Sequence, residues 1–288
     1  MICHQVPADV KAMPLERYVR RAWPMIPAHA VREMLRRRDV KIGGARCGRD
    51  ASVRGGDELW LYLPDKYLPA PAEFAYDDGR LAALVKPQGL PVDVDQDGVG
   101  ADTLLTRARA VHAGARLCHR LDAATGGLVL VAMDDATEVA ALETFRVHAL
   151  RKRYLALARG GFERREGTLR AWLEKDARRA TVRVVHREIL GARPIETRWK
   201  VLDEAGGIAR LELEPVTGRT HQLRAHMADF GHPLLGDDKY GDRSLNRQSE
   251  GGLRLWCAEL AIGMDSPLTD YRGMRFAAPA PQWWEERG

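Results

Sequence analysis

Short runs of alternating apolar and polar residues, each bounded by glycine, proline or aspartate, constrain the fold of this chain more than any other feature. Four of them are TVRVVH, IETRWKVL, ARLELEPV and LRLWCAELAI, which have the pattern of strands with one buried face. LAALVK and the run after HRLDAATG are predicted as strands too, and a helix is predicted from about Ala136 to Leu150. We therefore predict an α+β fold, with a mixed, mainly antiparallel sheet flanked by helices.

Positive charge is concentrated near the N-terminus. The 288 residues carry a net charge of +5, yet residues 11–54 hold twelve Lys and Arg against four Asp and Glu, a local charge of +8. LERYVRRAW and AHAVREMLRRR place apolar residues at helical spacing with arginines on the outer faces, and DVKIGGARC and GGDELWLYLP predict short strands. A basic unit of this kind suits a polyanion such as a nucleic-acid backbone; a solvated face without a partner is the alternative.

Two prolines in DKYLPAPAEF mark a boundary between this basic unit and the rest of the chain. The predicted organisation is a small N-terminal α/β domain over residues 12–64, a linker over 65–73 and a large domain over 74–288. No apolar run is long enough to span a membrane and no secretory signal is present, so we expect a cytoplasmic protein. The four cysteines are far apart without a CxxC pair, which argues against a disulfide framework.

The stretch HRLDAATGG places a lone carboxylate, Asp122, between a basic pair and a glycine-rich turn, directly before an apolar run. Aspartate beside glycine often only shapes a turn through hydrogen bonds to its own backbone. The alternative is a reactive carboxylate at the mouth of a strand. Ala124, rather than a second Asp, follows two residues later, which argues against an aspartyl phosphatase of the haloacid-dehalogenase kind.

A second dense patch, EPVTGRTHQLRAHMADFGHPLLGDDKYG, contains three histidines. His221 and His226 are five residues apart, which misses the spacing of a helical zinc pair, so no metal site is predicted. No serine lies in a GxSxG context, which argues against a catalytic triad. The phosphate-binding patterns GxGxxG and GxxxxGK[ST] are absent as well.

Three long motifs, HRLDAATGGLVLVA, RKRYLALARG and VTGRTHQLRAHMADFGHPLLGDDKYG, resemble in this order the active-site motifs of RluA-type RNA pseudouridine synthases. With ALVKPQGLPV before them and LWCAEL after them, the resemblance covers residues 74–280. The N-terminal unit resembles an S4-like RNA-binding domain. Two positions depart from these patterns: Gly126 stands where many members carry Ser, and Gly43 where the S4-like pattern has Asn.

The resemblance implies a role for each matching position. Asp122 matches the nucleophile that attacks the target uridine while its N-glycosidic bond breaks, and Arg224 matches the arginine that pairs with this aspartate. Tyr154 matches the aromatic residue that stacks on the target base, and Arg120 the residue that enters the RNA stack and displaces the flipped uridine. From the residues alone, a phosphate contact for Arg224 and core packing for Tyr154 are the alternatives.

Other polar residues of the motifs are given lesser roles. His119, His221 and Thr125 are interpreted as scaffold or loop-shaping groups. Further basic residues are predicted to bind RNA, with ordinary surface charge as the alternative: Arg32, Arg36, Arg37, Arg38, Lys41, Lys152 with its neighbour Arg153, and Arg219.

The predicted function is isomerisation of specific uridines to pseudouridine in structured RNA. The expected substrate is large-subunit ribosomal RNA, with transfer RNA as the alternative substrate and a non-catalytic RNA-binding or assembly factor as the alternative function. The reaction involves neither redox change nor group transfer between molecules, so no cofactor is implied. We expect a monomer that needs no protein partner and no membrane.

Overall fold

The computed structural model of the protein describes residues 1–95, 97–176, 181–246 and 252–285. Its contacts divide the chain into two compact units. The first comprises Met1–Ala72 and Gly89–Ala115, and the second comprises Glu73–Gln88 and the chain from Arg116 onward. None of the helices in these described ranges is both long and apolar enough to cross a membrane.

The first unit packs short strands and helices around one apolar core. Its strands are β1 (Ile2–Gln5), β2 (Met13–Pro14), β3 (Val40–Ile42), β4 (Ala45–Arg46), β5 (Ser52–Val53) and β6 (Glu58–Leu61), and its helices are α1 (Leu15–Ala22), α2 (Ala28–Arg37) and α3 (Leu104–Arg109). Strands β1, β6, β3 and β4 pair in that order as an antiparallel sheet, and β2 pairs with β5. The apolar faces predicted for α1 and α2 are buried in this core, as their helical spacing requires.

The segment Gly89–Ala115 joins this first core, although the proline boundary assigns it to the second domain. Val99 packs among the apolar residues of the first unit. The Arg21 guanidinium lies 2.6 Å from carboxylate oxygens of both Asp95 and Asp97. Prolines mark a boundary along the chain but do not show which core a later segment joins, and here packing and ion pairs bring it back to the first unit.

The second unit is built on one large sheet. Its strands are β7 (Phe74–Asp77), β8 (Leu81–Lys86), β9 (Arg116–Leu117), β10 (Gly126–Ala132), β11 (Leu150–Arg159), β12 (Glu166–Asp176), β13 (Thr181–Val185), β14 (Arg193–Ala205), β15 (Ile208–Pro215), β16 (Leu255–Ile262) and β17 (Arg275–Ala277). Its helices are α4 (Asp135–Arg146), α5 (Gln222–Asp229), α6 (Arg243–Asn246) and α7 (Gln282–Glu285).

The pairing of these strands confirms the predicted mixed, mainly antiparallel sheet. The order is β13-β12-β14-β15-β11-β16-β10-β8-β7, with β17 beside β16 and β9 beside β10. Among the described strands, only β10 and β16 pair in parallel. Helix α4 contacts β10, and α5 contacts β13, β14 and β15. The fold is therefore α+β, as the alternating runs predict.

Helix α4 is shorter than predicted. It ends at Arg146, and His148 adopts a left-handed backbone conformation with φ 58°. Leu150, the expected last residue of the helix, is instead the first residue of β11. A single left-handed residue is enough to turn the chain out of the helix and into the strand.

Strands β8 and β10 form the buried centre of the sheet, and every residue in both is buried. Gly126, the first residue of β10, lies in parallel register beside Trp256 of β16. A Cβ atom on Gly126 would lie 2.3 Å from the Trp256 indole ring. The indole thus occupies the space that a side chain at position 126 would need.

We expect the Gly126→Ser substitution to lower the free energy of unfolding by about 1–3 kcal/mol, because the new side chain overpacks the Trp256 ring. In a Trp256→Leu background the same substitution should cost less, because the smaller side chain leaves room. Denaturant unfolding of the four proteins in this cycle measures the coupling between the two positions. If the two effects add within about 0.5 kcal/mol, the indole does not set the size limit at position 126.

Candidate active site

Asp122 lies in the turn that leads into β10. The backbone N–H of Thr125 donates to the carbonyl oxygen of Asp122 at 3.0 Å, which closes the turn. The side chain is 24% exposed and its carboxylate faces Arg224 and His221. From the sequence, Asp122 either shapes a turn or is a reactive carboxylate. The two roles are compatible in the structure, because the backbone shapes the turn and the side chain stays available.

Two side chains at the end of β8 hold this turn in place. Lys86 Nζ donates to the carbonyl oxygen of Ala123 at 2.9 Å, and Gln88 Nε2 donates to that of Ala124 at 3.2 Å. The indole N–H of Trp283, in the C-terminal helix α7, donates to Gln88 Oε1 at 2.9 Å. The residues directly after Asp122 are thus tied to β8 and through Gln88 to α7.

Lys86 is fully buried beside the turn, and sequence reasoning missed it. Burial lowers its pKa to about 7, against the opposing effect of the Asp122 charge. Its signal in the sequence is a lysine that closes an otherwise apolar strand directly before a proline. A charged residue at such a place needs buried acceptors, and the turn carbonyls supply them.

Arg224, in α5, joins the turn to a second loop. Its Nε and Nη2 atoms donate to the two carboxylate oxygens of Asp237 at 2.8 and 2.7 Å, and Nη2 also lies 2.9 Å from Asp238 Oδ1. Its remaining nitrogen, Nη1, lies 3.4 Å from Asp122 Oδ2. Burial lowers the pKa of this guanidinium, but the Asp237 hydrogen bonds and the three carboxylates outweigh burial and raise it. Arg224 is therefore a permanent cation aimed at Asp122.

The loop after Leu235 keeps Asp237 ionised. Burial raises the pKa of this carboxyl, but Arg224 and the backbone N–H groups of Lys239 and Tyr240 outweigh burial and lower it. No role is predicted from the sequence for the two acids of the GDD stretch. The signal in the sequence is two adjacent acids 13 and 14 residues after an arginine that lies between apolar residues.

Tyr154 lies in β11, is 7% exposed and packs in the main apolar core. It pairs in register with Cys257 of the neighbouring strand β16. Burial, Cys257 and then the Asp122 charge raise the pKa of Tyr154 well above its usual value. Tyr154 is thus a core residue that also lies close enough to Asp122 for the carboxylate charge to raise its pKa.

The remaining basic residues predicted near the site differ in their exposure and in whether acidic side chains pair with them. Arg120 and Arg219 are exposed, and neither has an ion pair within the described parts of the chain. Lys152 is partly buried, which lowers its pKa, and its Nζ lies 5.8 Å from the Phe145 ring centroid. Arg153 pairs with two glutamates, at 3.4 and 3.6 Å. Of these four, the first two arginines are thus the ones free to meet a phosphate.

The three residues interpreted as scaffold have different surroundings. The His119 ring accepts the backbone N–H of Leu130 at 3.0 Å, and burial lowers its pKa to about 3, so it is neutral. Thr125 is buried in the turn. His221 lies beside Asp122: its Nε2 atom is 3.7 Å from Asp122 Oδ2.

In the first unit, the predicted RNA-binding residues fall into three groups. Arg36 and Arg37 both pair with Glu33, at 2.7 and 2.6 Å. Arg32 and Arg38 are exposed, and no ion pair engages them in the ranges that the structure covers. Lys41 Nζ lies 5.7 and 5.8 Å from the ring centroids of two aromatic residues of the same unit, Trp60 and Tyr62.

The first unit also has a surface cavity that the predicted residues do not include. Its volume is about 540 Å³, and its lining includes three arginines of α1: Arg17, Arg20 and Arg21. Arg21 is held by two aspartates, whereas Arg17 and Arg20 are exposed.

The described residues contain no cluster of three His, Cys, Asp or Glu side chains that could hold a metal ion.

Replacing Lys86 with methionine should remove a pH dependence from the stability of the protein. The pKa of Lys86 is about 7 in the folded protein, against an ordinary value of 10.5. Between these values the unfolded chain binds a proton that the folded protein does not, so stability rises with pH. From about pH 7 to about pH 10, the free energy of unfolding of the wild type should rise relative to that of Lys86→Met.

Denaturant unfolding at a series of pH values measures this difference. Lys200→Met, which removes an exposed lysine from β14, is the matched control and should follow the wild type at every pH. Parallel curves for the wild type and Lys86→Met would show that Lys86 keeps an ordinary pKa in the folded protein.

Known proteins are similar to this chain over most of its length. The RNA pseudouridylate synthase family matches residues 80–229, which include Asp122, Tyr154 and Arg224. Ribosomal large subunit pseudouridine synthase C of Escherichia coli (strain K12) is 30% identical over 296 aligned positions, which cover 95% of this chain and 91% of that protein. The protein of the same name from Rickettsia conorii is 28% identical and covers 80% of this chain and 83% of its own length.

A solved structure shows the same architecture. Human RNA pseudouridylate synthase domain containing 1 superimposes with a TM-score of 0.62 at 27% identity, over 73% of this chain and 84% of that one. The predicted fold class and enzyme class are both confirmed. The chain belongs to the RNA pseudouridylate synthase family, the isomerases that convert uridine in RNA to pseudouridine.

Proposed function

We propose that this enzyme isomerises specific uridines of large-subunit ribosomal RNA, with Asp122 as the nucleophile. The observation that carries the mechanism is the partly exposed Asp122 carboxylate, which meets a buried, permanently charged Arg224 through one oxygen. The choice of RNA is supported by the curated relatives named ribosomal large subunit pseudouridine synthase C, one of which aligns with 95% of this chain.

The geometry at Asp122 leaves one of its oxygens for the substrate. Oδ2 faces Arg224 Nη1 and His221 Nε2, whereas Oδ1 receives no hydrogen bond from the described residues. A carboxylate nucleophile must be ionised, oriented and open on the attacking atom. In the proposed reaction Oδ1 attacks the target nucleotide and the N-glycosidic bond breaks. The uracil rejoins the ribose through C5, the Asp122 oxygen is released, C5 loses its hydrogen and N1 gains one, so that the product has the same atoms as the substrate.

Arg224 supplies orientation as well as charge. Its two-pronged bond to Asp237 fixes the guanidinium plane, so that Nη1 points in one direction only. Because the arginine is held on its far side, it does not need to reorganise when the carboxylate reacts. Orientation that is fixed in advance lowers the entropic part of the barrier.

The aromatic and cationic neighbours fit a base-flipping reaction. Tyr154 stays protonated at neutral pH because its pKa is raised, so it offers an uncharged aromatic ring for stacking rather than a phenolate base. Arg120 is exposed two residues before Asp122 and is free of ion pairs in the described chain. We assign it the role of filling the stack when the uridine leaves, since extrusion costs a few kcal/mol unless another group compensates.

The first unit supplies affinity for the phosphate backbone in this proposal. The segment over residues 11–54 has a net charge of +8, and the exposed arginines Arg32 and Arg38 carry part of it. We propose that residues 12–64 act as an S4-like RNA-binding domain and residues 74–288 as the catalytic domain, with residues 65–73 as the linker. A cytoplasmic location and a monomeric state remain predictions.

Asp122→Asn should lower the rate of pseudouridine formation by more than about 1,000-fold while RNA binding is unchanged, because the amide cannot act as a carboxylate nucleophile. Carbodiimide-dependent reverse-transcription stops across total RNA, in cells with the gene intact, deleted or complemented by each variant, locate the affected uridine. Asp135→Asn, which alters a largely exposed carboxylate of α4, is the control and should restore the site.

Three outcomes would revise the proposal. Normal modification by Asp122→Asn would exclude the nucleophile. Loss of a site in transfer RNA, with ribosomal RNA unchanged, would move the substrate to the alternative RNA. No loss anywhere, together with tight RNA binding and no product from purified enzyme, would indicate a binding factor.

Arg32→Gln combined with Arg38→Gln should weaken RNA binding and reduce the slope of log affinity against log salt by about one for each phosphate that the protein no longer neutralises. Binding to transcribed ribosomal RNA at several salt concentrations measures the slope. Arg146→Gln with Arg183→Gln removes the same charge from arginines paired with Glu143 and Glu174, and should change the slope less. If both double variants gave equal slopes, the change in RNA binding would reflect the total charge of the protein and not a specific role of Arg32 and Arg38.

A further inference from the structure

His221 and Tyr240 form a hydrogen-bonded pair beside Asp122 that the reaction scheme above does not use. His221 Nδ1 lies 2.8 Å from the Tyr240 hydroxyl, and His221 Nε2 lies 3.7 Å from Asp122 Oδ2. The two rings also meet edge to face, with centroids 5.6 Å apart. The imidazole therefore stands between a hydroxyl group and the proposed nucleophile.

The Tyr240 hydroxyl is oriented by the backbone. The N–H of Val182, in the edge strand β13, donates to the Tyr240 oxygen at 2.9 Å. The single hydroxyl hydrogen is then available for His221 Nδ1, which accepts it. A neutral imidazole that accepts at Nδ1 carries its own hydrogen on Nε2, the atom that faces Asp122.

The charges around the ring favour the same state. With the hydrogen on Nδ1 instead, the Nε2 lone pair would face the negative carboxylate of Asp122. Burial lowers the pKa of His221, the cations Arg224 and Lys239 add to that effect, and the carboxylates of Asp122 and Asp237 oppose it. The pKa of Tyr240, whose hydroxyl touches the ring, is raised mainly by burial, so this residue keeps its hydrogen. The neutral Nε2–H form of His221 follows.

This form places two donors on the same carboxylate oxygen. Arg224 Nη1 and His221 Nε2 both face Asp122 Oδ2, at 3.4 and 3.7 Å, and no donor from the described chain faces Oδ1. The second distance is longer than a hydrogen bond. Contacts of this kind are often long in a free enzyme and tighten when substrate binds.

We propose that His221 and Tyr240 are positioning residues for Asp122: the tyrosine hydroxyl holds the imidazole as its Nε2–H form, and the imidazole fixes Oδ2 so that Oδ1 meets the uridine. This inference rests on the proposed role of Asp122 as the nucleophile. It explains why the hydroxyl of Tyr240 lies against β13 and the start of α5 rather than in solvent. It also gives His221 a task beyond that of starting α5.

Substitution at His221 tests the donor. His221→Leu removes it and should lower kcat by about 10- to 100-fold with KM nearly unchanged, the size expected for one hydrogen bond to a charged group. His221→Gln places an amide N–H near the position of Nε2 and should recover most of the lost activity. His148 has the same left-handed backbone, with φ 58° against 55°, so His148→Leu is a matched control for strain and should keep wild-type kcat.

Substitution at Tyr240 tests the hydroxyl. Tyr240→Phe keeps the ring, whose centroid lies 5.4 Å from the Arg224 guanidinium carbon, and removes only the donor to Nδ1. NMR of ¹⁵N-histidine-labelled protein, with the His221 signals assigned by their loss in His221→Gln, reports which nitrogen carries the hydrogen. The wild type should show Nε2–H; in Tyr240→Phe the pKa of His221 should rise, because the neutral form has lost its hydrogen bond.

Each outcome bears on a different claim. A hydrogen on Nδ1 in the wild type, or wild-type kcat in His221→Leu, would overturn the inference. Loss of activity in His221→Leu without recovery in His221→Gln, at unchanged stability, would overturn the donor role as well. If the wild type itself formed no pseudouridine, the proposed function would fail, whereas the NMR result would still decide the state of His221.

Discussion

The buried ion pair between Arg224 and Asp237 is the interaction on which the geometry of the site depends. Burying such charges is costly, and it is tolerated here because each side chain is saturated with partners. Arg224 bonds three carboxylates, and Asp237 accepts from the guanidinium and from the backbone of its own loop. The pair therefore fixes three parts of the chain at once: α5, the loop that carries Tyr240, and the turn that carries Asp122.

Elements that are far apart in the sequence together hold Asp122 in position. Lys86 and Gln88, from the end of β8, bind the carbonyls that follow it, and Arg224, from α5, meets its side chain. The glycines that open β10 bring this turn against β16 without a side chain in between. A turn with few internal bonds becomes rigid in this way, because the surrounding strands and helix supply the contacts that the turn itself lacks.

Much of this arrangement can be predicted from the sequence, whereas the rest depends on packing in three dimensions. The alternating runs indicate the sheet, and the motifs around Asp122, Tyr154 and Arg224 indicate which residues meet. The partners of those residues are harder to predict. Local patterns single out Asp237 and Lys86 as charges that need partners, but the groups they bind lie 13 and 37 positions away in the sequence. The segment Gly89–Ala115 shows the same limit, since its return to the first unit depends on contacts with residues dozens of positions earlier.

The charge balance of the site decides how RNA can approach it. Around Arg224 the carboxylates of Asp122, Asp237 and Asp238 outnumber the guanidinium that they share. Lys239 adds a second positive charge near the group, but His221 is neutral and Lys86 is buried with a pKa of about 7, so the three carboxylates still outnumber the cations. A polyanion would therefore be repelled from the Asp122 carboxylate unless cations lay nearby. Arg120 and Arg219, which the described chain leaves exposed and without ion pairs, are in the loops that flank Asp122 and α5. The proposed role of Asp122 requires a negative charge beside the substrate backbone, and these two arginines supply positive charge in the same loops.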